Sequence, residues 1–122
     1  MIVKLENLPK ISLNAWYGGG HWSKRKKIKD SYKTIVKSQF KHVLPKDKQY
    51  KVYYAFEFKT RALVEYHFTF KSRPLDASNC VAMVKLIEDV IFEDDSYKIV
   101  KEIRVSSNKG LKDNVSIHIK EI

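Results

Sequence analysis

The sequence predicts an α+β domain with element order β-α-β-β-α-β-β, in which two helices cover one face of a largely antiparallel sheet. Three observations predict it. Residues 51–59 and 62–71 alternate apolar and polar with a period of two. Residues 23–41 and 80–91 repeat apolar residues at helical spacing. The chain has 122 residues, 43% of them hydrophobic and 12% aromatic, which suits one packed core and a single domain spanning 1–122.

In chain order, residues 2–6 alternate weakly and form a first short strand. An irregular stretch follows, NLPKISLNAWYGGGHW, with three consecutive glycines. Ser23 can cap a helix running to about Lys41, its stripe made by Ile28, Tyr32, Ile35 and Gln39/Phe40. Pro45 and Asp47 mark a turn. Val52, Tyr54, Phe56 and Phe58 share one face of the next strand, and Val64, Tyr66, Phe68 and Phe70 one face of the strand after it. A short turn at Thr60-Arg61 would pair the two. Arg73-Pro74 ends the second of them.

Residues 80–91 then place Cys80, Val84, Ile87 and Ile91 on one helical stripe beside Met83 and Val90, with Ser78 or Asn79 as N-cap. The last strands are expected at 97–105 and 114–120, joined through the turn sequence SSNKG.

Composition narrows the functional classes. The formal net charge of +10 points to a polyanionic partner, nucleic acid above all. No apolar run approaches the roughly 20 residues of a membrane span, and MIVKLENLPK has no apolar signal core, so a cytoplasmic protein with no membrane partner is expected. Cys80 is the single cysteine, which leaves no internal disulfide and fits a reducing compartment.

Charge is unevenly distributed. Asp76 to Asp95 (DASNCVAMVKLIEDVIFEDD) holds six of the fourteen acidic residues against one base, Lys85, leaving about +15 on the rest of the chain. Lys24, Arg25, Lys26, Lys27 and Lys29 crowd the start of the first helix, where the helix dipole favours anions. Bound phosphate would reconcile that placement, because backbone N–H groups and lysines then address the same anion. Trp16, Tyr17 and Trp22 flank the glycines and can stack on bases or wedge into an opened duplex. Arg73 extends the basic set. The same residues also suit a solvated helix face, with both tryptophans in the core.

Within the acidic stretch, Asp76 sits before the second helix, and Asp94 and Asp95 where the next strand begins. Carboxylates brought together there make a hard oxygen site for Mg²⁺ or Mn²⁺. Lys85 and Asp89 lie four apart on the helix, with Glu88 adjoining, and a lysine there can stabilise charge developing on a phosphate. A surface Lys85–Asp89 pair and a plain acidic turn at Glu93-Asp94-Asp95 account for the same pattern.

The order of these pieces resembles the RusA family of Holliday junction resolvases, including its phage-borne members. NLPKISLNAWY is similar to the family's opening loop, Asp76-Ala77-Ser78-Asn79 to its D-x-D-N element, Lys85 through Asp89 to its K-x-x-x-D helix, and Asp94-Asp95 to its D-D pair. The likeness runs through most of the chain, and its specific part is Asp76 to Ser96.

The resemblance implies a RusA-like fold and a homodimer acting on branched double-stranded DNA in a bacterial or phage-infected cell. It implies Mg²⁺-dependent paired nicking that leaves a 5′ phosphate and a 3′ hydroxyl. Asp76, Lys85 and Asp95 would be catalytic. Asp76 and Asp95 would hold metal, with Asp94 or Asp89 assisting. Two departures stand out: Ser78 occupies the place of the second aspartate, and the gap from Asn79 to Lys85 is nearly one helical turn longer than the family's. A second expectation is therefore a dimer that binds branched DNA without cutting it. A third, an RNA-binding module, draws on the aromatic strands but lacks an RNP-type motif.

Overall fold

The computed structural model describes residues 2–18, 22–40, 61–92 and 99–121. Its elements are β1 (Ile2–Glu6), α1 (Leu13–Gly18), α2 (Trp22–Phe40), β2 (Ala62–Phe70), a 3-10 turn (Ala77–Cys80), α3 (Val81–Ile91), β3 (Val100–Lys109) and β4 (Asn114–Glu121). This is an α+β architecture with a four-stranded mixed sheet in the order β1-β4-β2-β3. β4 runs antiparallel to both β1 and β2, whereas β2 and β3 are parallel. The parallel pair has its cause in the connection, since α3 lies between the two strands in the chain and a helical crossover returns the chain in the same direction.

Both edges of β2 are occupied, one by β4 and the other by β3. The expected 51–59 strand lies outside the described residues. No helix among the described residues is long and apolar enough to cross a membrane.

Alternation decides which face is buried. Val3 and Leu5 of β1, Val64, Tyr66, Phe68 and Phe70 of β2, and Val115, Ile117 and Ile119 of β4 point into one core. The helices close it with Tyr32 and Val36 of α2 and with Met83, Val84, Ile87, Val90 and Ile91 of α3. The opposite face carries Glu65, His67, Ser116, His118 and Lys120, none of them fully buried. Burying a side chain of the Leu, Val or Phe size contributes about 1.5–3 kcal/mol, so the shared core is what orients the helices on the sheet.

The expected stripes of α2 and α3 are found, with three changes at element ends. α2 begins at Trp22, one residue before the expected cap Ser23. Neither Ser78 nor Asn79 caps α3; both lie in the 3-10 turn, and Cys80 holds the N-cap position without a side-chain hydrogen bond. The Asp76 carbonyl instead accepts from Asn79 N–H at 2.8 Å and from Cys80 N–H at 3.2 Å. α1 lies inside the stretch expected to be irregular. Ser12 starts it, its Oγ accepting from Ala15 N–H at 3.0 Å and its carbonyl from Trp16 N–H at 2.9 Å.

SSNKG differs as well, its first four residues being strand. Ser106, Ser107, Asn108 and Lys109 pair with His67, Phe68, Thr69 and Phe70. Ser107 Oγ also donates to the Leu75 carbonyl. Ladder bonds and this tie outweigh turn propensity, and the reversal moves to residues 110–113. Gly110 packs closely against Thr69 there, so a side chain at 110 would force the Thr69 methyl to move.

Candidate functional site

The loop after β2 carries the first candidate. Asp76 lines a cleft of about 280 Å³ with Lys10, Arg73, Pro74, Leu75 and Asn79. Lys10 shapes it from the chain before α1: its ammonium donates to the Arg73 carbonyl and stands 5.3 Å from the Phe70 ring centroid. Arg73 and Asp76 are exposed. The Asp76 side chain makes no capping bond to the 3-10 turn, so its carboxylate faces the cleft without serving the helix. Cys80 lies beneath, fully buried. Burial pushes its thiol up, the Asp76 charge adds to the rise, and a Ser107 hydrogen bond and the Lys10 charge oppose it. Cys80 is therefore a protonated core residue at neutral pH and not a nucleophile.

α3 distributes the remaining candidates. Lys85 and Asp89 are both exposed, while Glu88 is buried and accepts a 2.9 Å hydrogen bond from the Tyr66 hydroxyl. Glu88 is thus committed to the core, not to a ligand set. Asp89 lines a different cleft, of about 390 Å³, with Leu86 and Val90 of α3 and Lys29, Asp30, Lys33 and Lys37 of α2. Eight residues of helix, about 12 Å at 1.5 Å per residue, separate Asp89 from the helix start beside Asp76. Oxygen ligands of one Mg²⁺ sit within about 2.1 Å of the ion, so Asp89 does not join Asp76 on a common ion. Asp94 and Asp95 lie outside the described residues.

The basic helix presents Lys24, Lys26, Lys27 and Lys29 on its exposed surface. Arg25 differs: its guanidinium stands 5.6 Å from the Trp16 ring centroid and 5.9 Å from that of Tyr17. It locks α1 to α2 through cation–π contact and is only partly exposed. Trp16 packs partly against the core, and Tyr17 is exposed. Trp22 opens α2, and its side chain lies outside the described residues.

Sequence reasoning missed Lys10, Lys33 and Lys37. Lys10 has no sequence signal, because it reaches Arg73 across 63 residues. Lys33 and Lys37 do have one: with Lys29 they recur every fourth residue, which stacks three ammonium groups along one helix face. The cleft between α2 and α3 is consequently cationic despite Asp30 and Asp89.

Among the described residues, one group has metal-ligating atoms converging within 4.8 Å of one another: Glu65, His67 and His118 on the sheet face opposite the helices. Comparison of the chain with family models, curated proteins and solved structures yields no match.

Proposed function

We propose that this protein is a structure-specific DNA endonuclease of the RusA type, which cuts four-way junctions in a Mg²⁺-dependent reaction as a homodimer. The observation that carries this reading is Asp76: an exposed carboxylate, not spent on capping, in a cleft shared with Lys10 and Arg73. An acid able to hold a divalent ion, flanked by cations able to hold phosphate, suits metal-assisted phosphodiester hydrolysis.

The fit to a divalent ion rests on donor chemistry. Asp76 and the Asn79 side chain bring hard oxygen donors to one cleft. Asp95 and Asp94 would complete the set, with Mg²⁺ or Mn²⁺ polarising the scissile phosphate and activating water. Lys10 and Arg73 would hold the flanking phosphates. Lys85, one turn into α3, would stabilise the charge that builds on the non-bridging oxygens as water adds to phosphorus and the bond to the 3′ oxygen breaks. The products are a 5′ phosphate and a 3′ hydroxyl. The lysines of α2 supply sequence-independent affinity for the duplex arms. A two-fold dimer matches the symmetry of a junction that needs two equivalent cuts.

One observation favours a second reading. Ser78, exposed in the 3-10 turn, stands where the family pattern has a carboxylate. A dimer that binds branched DNA without cutting it follows if the acids left are too few. A synthetic four-way junction incubated with the protein in Mg²⁺ or Mn²⁺ separates the two. Paired nicks support the nuclease, and retarded but intact junctions support the binding protein.

A further inference from the structure

The sheet face opposite the helices carries a cluster outside the proposed cleavage site. Glu65 and His67 alternate with core residues on β2 and so point away from the helices. β4 brings His118 into register with Glu65, one strand over. The result is two imidazoles and a carboxylate on adjacent central strands, their ligand atoms within 4.8 Å of one another. We infer that Glu65, His67 and His118 form a binding site for a transition-metal ion of the Zn²⁺ class.

The donor set selects the ion. Imidazole nitrogen with one carboxylate suits Zn²⁺, whereas Mg²⁺ requires oxygen alone. Bonds of about 2.0–2.1 Å to a tetrahedral ion ask only for modest side-chain rotation from the present spacing. His67 Nε2 already stands 3.4 Å from Glu65 Oε1. Its other nitrogen, Nδ1, is 2.7 Å from Ser106 Oγ on β3, the outer hydrogen bond that holds a ligating ring in orientation. His118 Nε2 lies 3.3 Å from Ser116 Oγ on the same strand. The two rings meet edge to face, with centroids 5.1 Å apart.

Three protein ligands would leave the fourth tetrahedral position for water or an exchangeable donor. Lys120 sits as the competing cation, its ammonium 2.7 Å from Glu65 Oε2. More than half of that side chain is exposed, so it can swing off as the metal enters.

The site lies on the sheet face opposite α2 and α3, which makes it separable from the cleft of Asp76. The test is titration of the full-length, tag-free, chelator-treated protein with Zn²⁺ by calorimetry at pH 7.5, with Co²⁺ absorption as a second readout. The expected result is one saturable ion per chain and intense tetrahedral Co²⁺ bands. His67→Ala or His118→Ala should weaken binding by more than the roughly 10–100-fold typical of losing an outer partner. Ser106→Ala should weaken it by about that factor. Lys120→Met should tighten it, and Asp76→Asn should leave it unchanged.

Circular dichroism checks that each variant is folded. If a histidine variant fails to fold, Lys120→Met and Ser106→Ala still decide the question, since they must move affinity in opposite directions. Absence of saturable binding, or binding that these substitutions leave untouched, overturns the inference.

Discussion

The Tyr66 hydroxyl donates a 2.9 Å hydrogen bond to Glu88 Oε1 in the interior, across the boundary between β2 and α3. A carboxylate near the middle of the acidic segment thereby fastens helix to sheet. Removing the donor takes this hydrogen bond from a buried side chain, at about 1–3 kcal/mol. Tyr66→Phe should lower stability by that amount in urea unfolding while the far-UV spectrum stays native. Glu88→Ala should cost more, because it adds a cavity to the missing bond.

Gln39 plays a comparable part at the sheet edge. Its Oε1 accepts from Glu6 N–H at 2.7 Å and its Nε2 donates to the Glu6 carbonyl at 2.8 Å, so one side chain satisfies both main-chain groups at the end of β1. Gln39→Ala should destabilise by about 1–2 kcal/mol. Hydrogen exchange should quicken at Glu6 while β2 remains protected.

The stability contributed by Glu65 depends on pH in a predictable direction. The Lys120 hydrogen bond, then the charges of Lys120 and His67, hold its carboxyl below the usual 4.5 despite partial desolvation. A depressed folded-state value makes the contribution complete above pH 4.5 and lost as pH falls through the lowered value. The difference in urea midpoint between wild type and Glu65→Gln should therefore be present at pH 6 and shrink steadily below pH 4.5.

Much of the fold is legible in the sequence because burial imposes a period. Val64, Tyr66, Phe68 and Phe70 alternate, and Val84, Ile87 and Ile91 recur by helical turns, since each set faces one core. What is not legible depends on partners far along the chain. Ser106 to Lys109 read as a turn until β2 supplies a ladder, and the parallel pairing of β2 with β3 has no local signature. The candidate site divides in the same way. Asp76 and the α2 lysines stand out by charge, whereas Lys10 enters through a hydrogen bond to a residue 63 positions away. His67 and His118 are brought together only by strand register.

On the proposed nuclease reading, the cationic face of α2 would govern affinity more than cleavage. Replacing Lys29, Lys33 and Lys37 together by Gln should weaken junction and duplex binding alike. The slope of log K against log salt should fall in magnitude by about 0.9 for each phosphate that the variant no longer neutralises. Fluorescence anisotropy over a salt series measures both. Arg25→Gln should act differently, lowering thermal stability by removing the cation that Trp16 and Tyr17 share.

Asp76 bears the central claim, and single-turnover cleavage of a labelled four-way junction tests it most directly. With Mg²⁺, wild type should yield paired nicks ending in a 5′ phosphate. Asp76→Asn should bind the junction with similar affinity yet cut at least about 100-fold more slowly, as expected for loss of a group closer to the metal than an outer partner. Equal cutting rates for the two proteins, in Mg²⁺ or Mn²⁺, would contradict the account.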